Sequence, residues 1–143
     1  MVDFRFFQPI DVRYGDLDPQ GHVNNARFVT YLEHARVSYI QHLGLWDGSD
    51  YLGLGFILVH LEVDFQAPIL ITDQVWVGVR VSHLGEKSLD MMYRVENVET
   101  GKVYATGMTT LVGYDYKSET SIPLLEEWRK KIASFDNIPE RSG

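Results

Sequence analysis

The apolar residues of this chain first alternate, then recur at helical spacing, then alternate again. From Phe4 to Tyr14 they are aromatic and β-branched, with Ile10, Val12 and Tyr14 set against Asp11 and Arg13. That pattern predicts a strand, and Pro9 within it predicts an edge position or a bulge. Between Ala26 and Leu43 the period lengthens. Phe28, Leu32, Ala35, Tyr39 and Leu43 fall at steps of three and four, which is one face of a helix. Asn24 or Asn25 supplies the N-cap and Gly44 the C-terminal stop. Tyr31 and Ile40 widen the apolar stripe, so this helix is expected to be covered on more than one side. Arg27, Glu33, His34, Arg36 and Gln41 form its polar face.

Four strand-like runs follow: Phe56–Phe65, Gln74–Leu84, Ser88–Val98 and Lys102–Tyr114. Val75, Val77, Val79 and Val81 share one face of the second run, and Leu89, Met91, Tyr93 and Val95 share one face of the third. The connections Ile71-Thr72-Asp73, Leu84–Lys87 and Glu99–Lys102 are too short for parallel crossovers and predict antiparallel hairpins. A last helix is expected over Pro123–Phe135. Ser121 is its candidate cap, Glu126 and Glu127 lie early, and Arg129, Lys130 and Lys131 lie late, matching the helix dipole. Beyond Asp136 the tail is expected to fray. The economical arrangement is an α+β fold: one curved antiparallel sheet of about five strands wrapped around the first long helix, with a C-terminal helix. A single sheet leaves a face and its edges uncovered, so a homodimer or homotetramer is expected.

Composition narrows the function. The chain has 143 residues, one domain by length, with 45% hydrophobic and 23% charged residues and no cysteine. Thiolate metal sites, disulfides and a thiol nucleophile are excluded. The net charge of −7 argues against a nucleic-acid partner, and any anionic ligand must be held by local cations. The first residues carry no basic segment followed by an apolar one. No apolar run approaches the ~20 residues of a membrane span, so a soluble cytoplasmic protein is the expectation. His22, His34, His42, His60 and His83 form no paired metal-ligand motif, and neither a nucleotide-binding glycine loop nor a Gly-x-Ser-x-Gly elbow is present. No metal and no cofactor are expected.

The remaining candidate chemistry lies between the first strand and the long helix. Asp18-Pro19-Gln20-Gly21 has Asp, Pro and Gly at the first, second and fourth positions of a β-turn. Taken alone, Asp18 is an ordinary turn residue. Its surroundings are more specific. Asp16-x-Asp18-x-x-Gly21-His22-Val23-Asn24-Asn25, followed by Tyr31-x-Glu33-x-Ala35-Arg36, resembles the hotdog-fold thioesterases of the 4-hydroxybenzoyl-CoA thioesterase type. His22-Val23-Asn24-Asn25 also resembles the acyl-acyl carrier protein thioesterases of that superfamily. Element order agrees from about Phe6 to Tyr116, so the resemblance implies one hotdog thioesterase domain over residues 1–143.

The resemblance implies hydrolysis of an acyl-CoA or acyl-carrier-protein thioester. It assigns Asp18 as general base or nucleophile and the backbone N–H near Asn25 as the group that polarises the carbonyl. His22 matches a histidine counted in the catalytic set of the carrier-protein branch; it orients water or holds the turn. That branch has Asn where this chain has Gln20. Gln20, Gly21, Val23 and Tyr31 would border the thioester. Phe28, Tyr31, Leu32, Val59 and Leu61 are candidates for the acyl cleft, and His60 faces a neighbouring subunit's site or solvent. Lys87 and Ser88, on a hairpin similar to the one that meets CoA phosphates or pantetheine in the family, are carried over as ligand contacts, with Arg80 as a further possibility. Glu33 is expected to pair with a nearby Arg, and Asp16 to serve the turn. For a carrier protein, which is usually acidic, Arg129, Lys130 and Lys131 are the one dense basic cluster. A non-catalytic acyl-thioester binder on the same fold is the rival from another class.

Overall fold

Val77, Val79 and Val81 have no measurable exposure, and Val75 has 3%. The alternation that predicts their strand thus sets the centre of the core. The computed structural model describes residues 3–49 and 55–141. Its elements are β1 (Phe6–Ile10), α1 (Asn25–His42), β2 (Phe56–Phe65), β3 (Val75–Leu84), β4 (Ser88–Asn97), β5 (Val103–Asp115), β6 (Thr120–Ser121) and α2 (Glu126–Asp136). The strands pair antiparallel in the order β1-β3-β4-β5-β2, with β6 on the end of β5. Leu89, Met91, Tyr93 and Val95 of β4 are buried on the same inner face as the β3 valines. Helix α1 lies across that face and buries Phe28, Tyr31, Leu32, Ala35, Tyr39 and Ile40. Full burial of side chains of this size contributes about 1.5–3 kcal/mol each.

Both ends of α1 follow the local chemistry. The Asn24 side chain accepts from Ala26 N–H at 2.9 Å, as an N-cap does. At the other end Gly44 takes φ +72°. Its N–H donates to Gln41 O and that of Leu45 to Ile40 O, both at 3.0 Å, closing a Schellman motif that needs a left-handed residue. Strand β1 ends sooner than the alternation predicts. After Ile10 the chain leaves the sheet and makes a single 3-10 turn at Tyr14–Asp16, because Arg13 N–H and Asp16 Oδ2 bond at 3.0 Å and hold the chain bent. Pro9 lies on β1, an edge strand.

Strand β2 carries a bulge that strict alternation hides. Leu58 pairs with Leu111 and His60 with Thr110, leaving Val59 as the extra residue. The start of α2 also differs from expectation. Ser121 pairs with Tyr114 in β6 rather than capping a helix, Pro123 lies before the first turn, and Leu125 is the N-cap. Glu126 and Glu127 occupy the first turn, but no basic residue lies in the last one, because the helix runs on to Asp136. The tail packs back instead of fraying: Arg129 Nη1 donates to Glu140 O at 2.9 Å, and Arg141 pairs with Glu126. Among the described residues no helix is long and apolar enough to cross a membrane.

Asp136, the last residue of α2, is only 5% exposed. Its Oδ2 accepts from Tyr39 O–H of α1 and from Val81 N–H of β3, tying both helices to the sheet. Burial raises its pKa from the ordinary carboxylate value, outweighing those two bonds. The folded state therefore keeps this proton where the unfolded chain has lost it. Stability from Asp136 rises as pH falls through the raised value towards about 4, and declines as pH rises. Asp136→Asn is expected to flatten this component of stability above about pH 4. Asp136→Ala strands two buried donors and is expected to cost about 3 kcal/mol. Urea unfolding of both variants against pH checks this. Parallel pH slopes for wild type and Asp136→Asn would remove the carboxyl as their source.

Candidate active site

The segment between β1 and α1 folds into a miniature hairpin. Leu17 and Val23 form an antiparallel bridge, Asp18 N–H donates to His22 O at 2.8 Å, and Gly21 N–H donates to Asp18 O at 3.0 Å. The last of these is the β-turn that the Asp-Pro-Gln-Gly pattern predicts, and Gly21, at φ +83°, is the left-handed residue that closes the three-residue hairpin loop after it. Val23 N–H donates to Ile69 O at 2.9 Å, and both residues are buried. That bond docks the turn onto the segment leaving β2. Asn24 N–H donates to Asp16 O at 2.8 Å and joins the turn to the helix start.

The two acidic residues of the motif have different surroundings. Asp16 Oδ2 accepts from Tyr31 O–H at 2.7 Å and from Arg13 N–H at 3.0 Å, and Oδ1 lies 3.7 Å from Arg27 Nε. Asp16 is thereby occupied in holding the turn to α1. The Tyr31 hydroxyl is pushed well above its ordinary pKa, first by burial and then by this carboxylate. Asp18 uses one oxygen locally: Oδ1 accepts from Gln20 N–H at 2.9 Å and, more loosely, from His22 N–H at 3.4 Å. Its Oδ2 has no donor among the described residues. A carboxylate fixed in this way keeps one oxygen for chemistry.

Asp18 lines a cleft of about 430 Å³ with Gln20, His22, Val23, Asn24, Asn25 and Phe28 on one side and Phe65–Pro68 on the other. Phe28 and Phe65 meet edge to face at 5.2 Å and form its apolar floor. Asn25 opens α1, so its N–H has no intrahelical partner. The Asn24 side chain takes the N–H of Ala26, leaving that of Asn25 at the positive end of the helix dipole. The cleft thus combines a half-buried carboxylate, an imidazole, an unengaged amide donor and an apolar wall.

Asp18, Gln20, His22, Val23 and Asn25 come together in the cleft, and Gly21 shapes the turn beneath them. Phe28, a candidate for the acyl cleft, lines it too, whereas the candidates that follow lie elsewhere in the chain. Tyr31 borders a separate groove on the Asp16 side of the turn, with Arg13, Arg27 and His34. Val59 is exposed on the β2 bulge, and exposed His60 pairs with Glu62 at 3.1 Å. Lys87 and Ser88 sit at the β3–β4 turn. Because Phe56 pairs with Gly113 and Phe65 with Ala105, that turn is at the opposite end of the sheet from the cleft. Arg80 donates to Asp3 O at 3.4 Å, and Glu33 pairs with Arg36 at 3.8 Å. Phe65, Gln66, Ala67 and Pro68 line the cleft but are not among the candidates that the sequence marks. Locally they read only as the end of the second strand, where Pro68 stops the run, and a strand end says nothing of what docks beside it. No cluster of metal-ligating side chains occurs among the described residues.

The antiparallel sheet with the long helix packed across it is a hotdog-type fold, and comparison with known proteins gives the class. Residues 12–136 match the model of the thioesterase-like superfamily, and the chain belongs to that family of thioester hydrolases. The chain is 38% identical to a thioesterase from Thermus thermophilus whose crystal structure is a complex with coenzyme A and Zn. The superposition has a TM-score of 0.84 and covers 97% of this chain and 100% of the other. It is 27% identical to the long-chain acyl-CoA thioesterase FadM of Escherichia coli, over 86% of this chain and 93% of the relative. It is 26% identical to a 1,4-dihydroxy-2-naphthoyl-CoA hydrolase of Synechococcus elongatus, over 90% and 96%.

Tyr31 provides a test of the division between turn and cleft. Tyr31→Phe removes the bond to Asp16 and is expected to lower stability by about 1–2 kcal/mol while leaving KM unchanged. Thermal unfolding and steady-state kinetics check both parts, and an altered KM would return Tyr31 to the substrate site.

Proposed function

We propose that the protein hydrolyses acyl-CoA thioesters, with Asp18 as the general base. The observation that carries this reading is the Asp18 carboxylate, pinned through Oδ1 and unengaged at Oδ2, in one cleft with the Asn25 N–H. In this mechanism the thioester carbonyl oxygen accepts from Asn25 N–H at the head of α1. Asp18 Oδ2 takes a proton from water as the water oxygen attacks the carbonyl carbon. The negative charge that develops on the carbonyl oxygen is held by the amide and the helix dipole, and preorganised donors of this kind are worth a few kcal/mol. As the C–S bond breaks, the proton on Asp18 passes to the departing sulfur, yielding free acid and thiol. His22 borders the same space and orients the water. Phe28 and Phe65 receive the start of the acyl group.

Free CoA is favoured over a carrier protein by the state of the basic cluster on α2. Arg129 is 2% exposed, and Lys131 is paired with Glu127 at 3.0 Å, so the dense dock that an acidic carrier would need is absent from this cluster. The working unit in this reading is a homodimer. Strand β2 is a ten-residue edge on which Ile57, Leu58 and Val59 are 36%, 40% and 57% exposed, an arrangement that invites strand pairing. Two β2 edges paired antiparallel about a twofold axis bring the β3–β4 turn of the second copy, with its Lys87 and Ser88, to the end of the sheet that holds Asp18.

Asp18→Asn is expected to fold normally and to lower kcat by about 10²–10⁴-fold. Thiol release across aliphatic, aromatic and β-keto acyl-CoAs, with this variant as control, reads the result. Near wild-type turnover would reject Asp18 as the base, and oxygen from labelled water entering Asp18 in a single turnover would make it the nucleophile. Release only from acyl-carrier protein would favour the carrier substrate, and no release from either would leave a binder. Separately, Val59→Asp is expected to convert the dimer to monomer in light scattering. A wild-type protein that is already monomeric would exclude the β2 interface.

A further inference from the structure

Arg129 is among the most completely buried large side chains of the molecule, at 2% exposure. Its Nη2 donates to Gly85 O and Glu86 O, both at 2.6 Å, and its Nη1 to Glu140 O at 2.9 Å. Nε has no partner. No carboxylate lies within ion-pair distance of it among the described residues; Glu126, on the same helix, pairs with Arg141 and feels the Arg129 charge only at longer range. A buried cation without a direct ion-pair partner is costly, and an apolar side chain of similar volume is often as stable in such a place. Simple filling of space therefore does not account for it.

What the guanidinium grips is the turn between β3 and β4. Glu86 O also accepts from Leu124 N–H at 3.0 Å, Lys87 O from Gly113 N–H at 2.7 Å, and Ser88 O from Gly85 N–H at 2.7 Å. Every backbone carbonyl from Gly85 to Ser88 is thus engaged, two of them by Arg129. The groups left over are side chains: exposed Glu86 and Lys87 and half-buried Ser88. In a chain of net charge −7, a stiff turn with a cation beneath it and an ammonium and a hydroxyl on it is suited to an anion.

We propose that Arg129 is a positioning residue for the phosphates of the substrate. It fixes the turn so that Lys87 and Ser88 meet the nucleotide end of CoA already ordered. This rests on the acyl-CoA reading above. Lysine cannot reproduce the planar fork that spans these carbonyls, so Arg129→Lys keeps the charge and loses the grip.

The test compares one acyl group on CoA and on pantetheine, which lacks the nucleotide. Arg129→Lys is expected to raise KM for acyl-CoA about tenfold, the scale of one lost charge-assisted contact. Its kcat on acyl-CoA, and both constants on acyl-pantetheine, should match wild type. Lys87→Ala should give the same split, and the double variant little more than either alone. A loss of equal size on both substrates would make Arg129 merely structural and overturn the proposal. So would an unchanged KM for acyl-CoA, whether in Arg129→Lys or in Lys87→Ala. Wild-type protein that releases thiol from neither ester defeats the hydrolase reading itself, an outcome distinct from these.

Discussion

The structure depends on one long helix having to hide a wide apolar stripe. Six residues of α1 are buried, and no single strand offers enough surface to cover them. The inner faces of β3, β4 and β5 do, but only if the sheet curves around the helix axis. With the helix seated, its two ends have fixed places. The C-terminal end is held by Gly44 and by the bond from Tyr39 to Asp136 of α2. The N-terminal end comes to rest beside the last residues of β2, where Phe28 meets Phe65. The cleft is therefore a product of core packing. A helix N-terminus with an unengaged amide is common, but here it is pressed against an apolar wall and a turn that supplies a carboxylate.

Asp16 and Asp18 show how donors divide labour between like side chains. Both lie in the same short turn and both are half-buried. Asp16 meets a hydroxyl, an amide and a guanidinium, which consume its acceptor capacity and make it a strut between turn and helix. Asp18 meets two amides on a single oxygen. The difference arises because Tyr31 and Arg27 lie on the flank of α1 that faces Asp16, while Asn25 and Phe28 lie on the flank that faces Asp18. Helical spacing sorts the two environments.

Much of this architecture is legible from local pattern. The β3 valines, the period of α1, the Asn24 cap, Gly44 and the Asp18–Gly21 turn all follow from interactions within a few residues of one another. What escaped was nonlocal or arbitrary in register. The bulge at Val59 leaves no mark in composition, so alternation misjudges which residues of β2 point inward. Ser121 and Pro123 look like a helix start, yet the backbone of Tyr114 captures Ser121 as a strand first. Arg129 reads as one of three surface cations until the β3–β4 turn is brought against it. The site divides along the same line. Its Asp18 side is continuous in sequence and could be named, whereas its Phe65–Pro68 side is contributed by the exit of another strand. Strand order also decides that Lys87 lies far from Asp18 within one chain, and order is not encoded in hairpin lengths alone.

The two ends of the sheet share a physical device. At the Asp18 turn and at the Gly85–Ser88 turn, the main chain is satisfied by short-range bonds and by reaches from elsewhere: Val23 to Ile69 in the first case, Arg129, Leu124 and Gly113 in the second. A loop whose backbone groups are paired has little to gain by rearranging, so its side chains meet a ligand with less ordering entropy still to lose. For a small protein with a strongly acidic balance this matters more than usual. Long-range electrostatics repel an anionic substrate, and affinity must come from a few groups already in place. A flexible lysine on a flexible turn would gain little against that field, whereas one on a fixed turn above a buried cation loses less on binding. In the proposed mechanism the same reasoning lets a single carboxylate suffice at the other end: held by the backbone at one oxygen, it needs no second acidic partner to keep it aimed.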